Sequence, residues 1–261
     1  MHPNSLRPLL PLLVPPSFRI IAHRGASAYA PENTAAAFEL AREIGATEIE
    51  FDLQFSKDRA IAVCHDRVLD RYGYPGLKIA DLDWAELKTL DMGSWFSPYR
   101  FCDEPMLCFD DLLRRFSGFD VLHAEIKEPA PGLADAILGA LAAHDATDRT
   151  IVTSFHFDAV NEAKRLAPDM PTGWLVRAGE FTPDNVARAV DAGFDQICPP
   201  ASEVTPAGIA EARKIIGEVR AHSVRGVADM LKVIEAGCRG MTINWPDWLV
   251  HEKAAPGTSA P

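Results

Sequence analysis

Short apolar runs alternate with helical patterns along almost the whole chain, and few folds accept that order. The runs fall at Phe18–Ala22, Glu48–Phe55, Val121–Lys127, Thr150–Ser154, Thr172–Val176, Gln196–Cys198, Glu218–His222 and Gly240–Ile243. Helical patterns follow at 35–44, then near Gly132–His144, Asp158–Leu166, Pro183–Ala192, Pro206–Ile215 and Val227–Ala236. Apolar strands joined by helices make a parallel sheet covered on its outer face. Eight such βα-like units in 261 residues predict an α/β fold, the (β/α)8 TIM barrel. A hydrophobic fraction of 48% is ample for its core. No Gly-x-Gly-x-x-Gly run follows the first strand, which argues against a dinucleotide-binding sheet.

The alternation lapses over 66–119, which predicts a small insertion after the second strand region. Tyr72-Gly73-Tyr74-Pro75-Gly76 is a turn cluster, and short helices are expected at Trp84–Leu90 and Phe109–Phe116. The aromatics Trp84, Trp95, Phe96, Tyr99 and Phe101 form either a packed satellite core or a wall for a substrate's alcohol group. The domain organisation expected is an extended N-terminal arm over 1–17, a barrel over 18–252, and a disordered tail over 253–261. Prolines 8, 11, 15 and 16 interrupt the apolar arm, so it does not read as a signal peptide. No stretch has the ~18 apolar residues of a membrane span.

The chemistry-bearing residues gather in Ile20–Asp66. His23-Arg24-Gly25 ends the first strand. Pro31-Glu32-Asn33-Thr34 opens a helix, with Asn33 or Thr34 as its cap and Gly45 at its end. Alternate side chains of a strand share a face, so Glu50, Asp52 and Gln54 point one way while Ile49, Phe51, Leu53 and Phe55 point the other. Two carboxylates on one face form either a solvated strand surface or, in a dry site, the ligands of a hard cation. Ala60–Cys64 is a further apolar run ending in His65-Asp66. Glu125 and Lys127 also share a face, as an ordinary ion pair or as part of the same site.

These pieces carry a resemblance. His23-Arg24-Gly25, Pro31-Glu32-Asn33-Thr34, Glu50-x-Asp52, His65-Asp66 and Glu125-Ile126-Lys127 stand in the order and at the spacing of the glycerophosphodiester phosphodiesterase family. The resemblance covers Phe18 to about Leu249 and thins after Lys127. It implies the same barrel, an insertion over its mouth, and His23 with His65 as the acid–base pair. Glu50, Asp52 and Glu125 would hold one divalent cation, Mg²⁺ or Ca²⁺ rather than Zn²⁺, because the donors are all carboxylate oxygens. Arg24 and Lys127 would neutralise phosphoryl oxygens. The implied reaction is metal-dependent hydrolysis of a glycerophosphodiester to glycerol 3-phosphate and an alcohol. The alternatives are a lysophospholipase D-like activity on a lipid, or a non-catalytic barrel that binds a phosphate ligand. The chain departs from the family where a Trp-Thr-Val-Asn run is common, having His222-Ser223-Val224-Arg225 instead. His222 and Arg225 would make the substrate pocket more polar.

Charge sets the remaining bounds. A net charge of -11 argues against nucleic acid or an anionic membrane surface as the main partner, but it does not forbid a small-molecule phosphate substrate, because a local metal and two basic residues can reverse the field in one cleft. Five cysteines, an odd number without a Cys-x-x-Cys pair, suggest a reducing, cytoplasmic location.

Overall fold

The structure is a computed structural model that describes residues 7–252. The expected tail over 253–261 and the first six residues of the expected arm lie outside the described residues. The elements run β1 (Leu12–Val14), β2 (Arg19–His23), α1 (Ala35–Glu43), β3 (Glu48–Phe55), β4 (Ile61–Val63), α2 (Trp84–Leu87), β5 (Leu107–Cys108), α3 (Phe109–Arg115) and β6 (Val121–Ile126). Strict alternation follows: α4 (Leu133–Ala143), β7 (Thr150–Ser154), α5 (Phe157–Leu166), β8 (Thr172–Leu175), α6 (Pro183–Asp191), β9 (Gln196–Cys198), α7 (Pro206–Ala212), β10 (Glu218–Ala221), α8 (Val227–Glu235), β11 (Gly240–Ile243) and β12 (Leu249–His251).

Eight strands close into a parallel barrel in the order β2-β3-β6-β7-β8-β9-β10-β11, with β11 paired back to β2. The strand alternation read from β3 holds. Ile49, Phe51 and Leu53 face outward into a cluster with Phe38, Phe109 and Phe116, whereas Glu48, Glu50 and Asp52 face the barrel axis. Phe38 stands edge-on to Phe51 with centroids 6.4 Å apart, and each fully buried ring contributes ~1.5–3 kcal/mol. The shell between strands and helices splits into two clusters, one around β2, β3, β6 and α1, the other around β8 to β11.

The barrel interior is polar. Below the site, Arg19 Nε donates to Glu48 at 2.9 Å, His123 Nε2 lies 2.8 Å from the same carboxylate, and Arg19 Nη1 reaches Glu218 at 3.4 Å. These pairs let charged residues fill a layer usually taken by branched aliphatics.

Most boundaries fall within one residue of the sequence reading, and three differ by more. Residues 12–14 of the expected extended arm form β1, which pairs in parallel with β12 and buries Val14. The helix expected to reach Ile215 stops at Ala212, and the one expected to reach Leu90 stops at Leu87. Past those points the amide hydrogen bonds reach back three residues, Ile215 to Ala212 and Leu90 to Leu87, so the last turns tighten out of α-helical geometry; Ile215 is 55% exposed while Ile216 still packs on the core. The run around Ala60–Cys64 is β4, which folds back antiparallel on β3 outside the barrel and pairs with β5. Between them, Leu69, Tyr72, Ile79, Leu87, Met92 and Met106 form a separate small core.

Candidate active site

The strand ends carry the site. β2 ends on His23, and the chain turns sharply through Arg24 (φ 55°) and Gly25 (φ 83°). A Cβ on Gly25 would stand 2.6 Å from the Ala37 carbonyl carbon, so only glycine lets α1 pack this close to the turn. Thr34 caps α1, its Oγ accepting from the Ala37 amide at 3.3 Å. Asn33 is thereby free to brace the neighbouring strand. From φ 58° it donates Nδ2–H to Asp52 Oδ2 at 2.7 Å, and its Oδ1 accepts from the Asp52 amide.

Glu50, Asp52 and Glu125 offer carboxylate oxygens all within 4.8 Å of one another, and all three residues are buried. β3 and β6 pair with Asp52 directly opposite Glu125, which sets this convergence. Burial, then the charges of Asp52 and Glu125, push the Glu50 carboxyl well above its usual range. Burial and the Asp52 charge likewise raise Glu125 to about 7. Asp52 goes the other way: its burial is outweighed by Arg24 and Lys127, and it stays ionised. Glu50 Oε1 and Asp52 Oδ1 are buried without any hydrogen-bond partner. Orphaned oxygens on clustered carboxylates fit a hard divalent cation. The donor set is all oxygen, so the residues present suit Mg²⁺ or Ca²⁺.

Basic groups ring the triad. Arg24 sends Nη1 to Glu32 at 2.8 Å, and its Nε lies 3.0 Å from Asp52 Oδ2 without the alignment of a hydrogen bond. Lys127 Nζ sits 2.9 Å from Glu125 and 3.5 Å from Asp52. His23 Nδ1 lies 2.7 Å from Asn244 Oδ1, an acceptor, so Nδ1 carries the proton and Nε2 is left basic, 3.8 Å from Glu50. Burial and the Arg24 charge lower the His23 pKa to about 3. His65 Nδ1 lies 2.5 Å from Asp66 Oδ1, and burial likewise lowers its pKa. Arg71 ties the two sides together: it donates to Asp66 Oδ2 at 3.0 Å and to Glu32 Oε2 at 3.2 Å, with its guanidinium stacked 4.8 Å over Trp95.

Many of these groups open on one cavity of about 300 Å³, lined on the triad side by His23, Arg24, Glu50, His65, Glu125 and Lys127, while Asp52, fully buried, and Arg71 stand behind that lining. The opposite wall holds Phe155, Arg220, His222 and Thr242. Arg225 lies at the rim, held by Asp229 at 2.9 Å. None of the five insertion aromatics lines the cavity. Trp95 packs edge-on against Tyr72 and Phe96, and Phe96 against Phe101.

Sequence reasoning passed over Glu32, Asn33, Asp66, Asn244, Arg71 and Arg220 as site residues. The first three sit inside motifs already singled out, and Arg220 shares its strand face with His222, so periodicity could have found it. Arg71 lies in an irregular turn that offers no such signal.

Comparison with known proteins agrees with this architecture. The sequence profile described as "Glycerophosphoryl diester phosphodiesterase family" matches residues 23–248. A glycerophosphodiester phosphodiesterase of Caldanaerobacter subterraneus is 30% identical, with 89% of this chain and 96% of the relative covered. One from Bacillus subtilis is 29% identical over 92% and 88% of the two chains. A phosphodiesterase of Oleispira antarctica, solved in complex with the product sn-glycerol-3-phosphate, superposes with a TM-score of 0.81 at 27% identity, covering 88% of this chain and 94% of that one.

Proposed function

Because this chain belongs to the glycerophosphoryl diester phosphodiesterase family, we propose that it hydrolyses small glycerophosphodiesters, with a divalent cation, to glycerol 3-phosphate and an alcohol. The observation that carries the reading is the buried triad with two orphaned oxygens, set beside two histidines and two basic side chains in one cavity. Glu50, Asp52 and Glu125 are the residues that would hold the cation. When bound, Mg²⁺ or Ca²⁺ would supply charge neutralisation at a phosphoryl oxygen.

The chain's own groups supply the rest. A phosphodiester anion repels nucleophiles, so positive charge must surround it before attack. Arg24 and Lys127 orient the phosphoryl oxygens, with Glu32 and Glu125 fixing where each cation points. His23, neutral and with Nε2 unprotonated, takes a proton from the attacking water, whose oxygen forms the new bond to phosphorus as the alkoxide leaves. His65 enters as the imidazolium, its Nδ1–H held by the Asp66 carboxylate, which favours that charged form against the burial that lowers the pKa; it gives its Nε2 proton to the leaving alkoxide and is left neutral. Glu50 and Glu125 sit high in pKa without a cation, which fits oxygens built to meet a positive charge rather than bulk water.

Among the described residues no helix is long and apolar enough to cross a membrane, and all five cysteines are unpaired. A dissolved substrate and a reducing, cytoplasmic compartment suit these features. The test is turnover of glycerophosphoethanolamine by chelator-treated protein, with enzymatic detection of glycerol 3-phosphate. Activity should vanish without cation and return with Mg²⁺ or Ca²⁺. Full turnover by protein shown to be metal-free, or no release of glycerol 3-phosphate under any condition, would overturn the reading.

A further inference from the structure

Among the described residues, one buried cation of the cavity wall is left unused by the hydrolytic arrangement. Arg220 lines the wall across from the triad, yet only 1% of its surface is exposed. It projects from β10, the seventh strand of the barrel, four places from β6 and so directly opposite Glu125. Its Nε donates to Gln196 Oε1 at 3.1 Å and its Nη1 to Thr242 Oγ1 at 2.8 Å, both neutral acceptors. Among the described residues Nη2 has no hydrogen-bond partner, and no carboxylate comes within 4.0 Å of the guanidinium. Glu218, the acidic residue two positions earlier on the same strand face, is turned to Arg19.

This differs from the other buried cations of the interior. Arg24 meets Glu32 and Asp52, Lys127 meets Glu125 and Asp52, and Arg19 meets Glu48 and Glu218. A guanidinium is a permanent positive charge in a protein. A buried charge with only neutral partners is costly unless something pairs with it. The side chain's open edge, Nη2 and the second Nη1 hydrogen, has the fork geometry that suits two oxygens of one anion.

The neighbouring polar groups cannot take that anion themselves. His222 Nε2 lies 2.9 Å from the Val176 carbonyl oxygen and so must donate there, while Nδ1 is 2.8 Å from Ser223 Oγ and accepts from it. No N–H of His222 is left over. Arg225 is held by two contacts to Asp229 at the rim.

We propose that Arg220 is a specificity-determining residue, which pairs with a carboxylate carried by the part of the substrate lying across the cavity from the scissile phosphate. A carboxylate is preferred over a second phosphate because its single negative charge matches one guanidinium, whereas a dianion would leave charge unmatched in a buried wall. The proposal rests on the hydrolytic reading above and adds the substrate class that the site selects.

Glycerophosphoserine and glycerophosphoethanolamine differ by one carboxylate and otherwise carry the same groups. On the parent protein kcat/KM should favour the serine compound by about tenfold or more, the scale of a buried charge-assisted pair. Arg220→Gln should bring the ratio near one, and Arg220→Lys should fall between. A second measurement requires neither turnover nor a folded variant: calorimetric titration of the Mg²⁺-treated parent with phosphoserine and with phosphoethanolamine, where phosphoserine should bind about tenfold more tightly. Equal kcat/KM, an unchanged ratio in folded Arg220→Gln, or equal binding of the two phosphomonoesters overturns the assignment and leaves hydrolysis standing. Tighter phosphoserine binding by a protein that turns over no glycerophosphodiester supports Arg220 and overturns the hydrolytic reading instead.

Discussion

Adding a divalent cation should raise the melting temperature of chelator-stripped protein, and the size of the rise can be worked from the site. Glu50, Asp52 and Glu125 crowd their oxygens within 4.8 Å, two of those oxygens have no partner, and unfolding would disperse all three carboxylates. A cation that binds only the folded chain adds about 2.7 kcal/mol at a concentration 100 times its Kd. With an unfolding entropy of about 2.1 cal/mol/K per residue, a chain of this size unfolds with about 0.5 kcal/mol/K, so the midpoint should rise by about 5 °C. The cation must also displace protons, because burial and mutual repulsion raise Glu50 and hold Glu125 at about 7. Binding should therefore tighten as pH rises from about 6 to about 8, and the shift should grow with it. The assay is thermal melting across MgCl₂ and CaCl₂ series at constant ionic strength. Glu125→Gln keeps the shape of the site and a contact to Lys127 but removes one charge, and it should lose most of the shift. The reasoning fails if the parent shows no shift with either cation, or if the variant shifts as far as the parent.

Steady-state kinetics should show His23→Ala and His65→Ala each lowering kcat by roughly 10²–10⁴-fold with melting behaviour retained; near-normal kcat in either removes that histidine from proton transfer. Arg71→Ala should lower kcat about tenfold, because Asp66 and Glu32 both lose the donor that fixes them, while Arg71→Lys should recover part of it; an unchanged kcat would show that His65 and Arg24 are held without Arg71. Burial lowers His123 to about 4, so between that value and the ordinary 6.5 the unfolded chain binds the extra proton. Stability should thus be fully present above about 6.5 and fall as pH drops toward 4, and Glu48, whose pKa is also lowered, adds loss in the same direction. Denaturant melts at about pH 7 and about pH 5 on parent and His123→Gln check this, and an equal pH dependence in both would refute the assignment to His123.

The parts of the site that lie on regular strands were legible, and the parts that depend on tertiary contact were not. Period two along β3 was enough to put Glu50 and Asp52 on the face opposite Phe51, because a half-polar strand has only one way to bury its aromatics. Barrel closure then required Glu125 to come from the neighbouring strand. Asn33 shows the limit: its type and place suggest a helix cap, yet Thr34 takes that role and Asn33 serves Asp52, 19 residues away. Asn244, which fixes the His23 ring, is 221 residues distant, and no local pattern links them. The insertion aromatics were ambiguous for the opposite reason. Composition identified an aromatic cluster, but only the fold shows that Trp95, Phe96 and Phe101 pack in a chain with Tyr72 while Tyr99 stands exposed, and that Arg71, stacked on Trp95, is what reaches the site.

The pairing of β1 with β12 bears on the order in which the molecule can assemble. The first core cluster draws only on residues between Ala22 and Met170, so its partners are present once about two thirds of the chain has been made. The second needs Val14 and Phe18 from the start of the chain beside Trp248 and Leu249 from its end. Its closure spans a loop of more than two hundred residues, with the entropy that such a loop carries. Until the last strand emerges, the early half of the barrel stands with its β2 edge unpaired, and β11 is the strand that covers it.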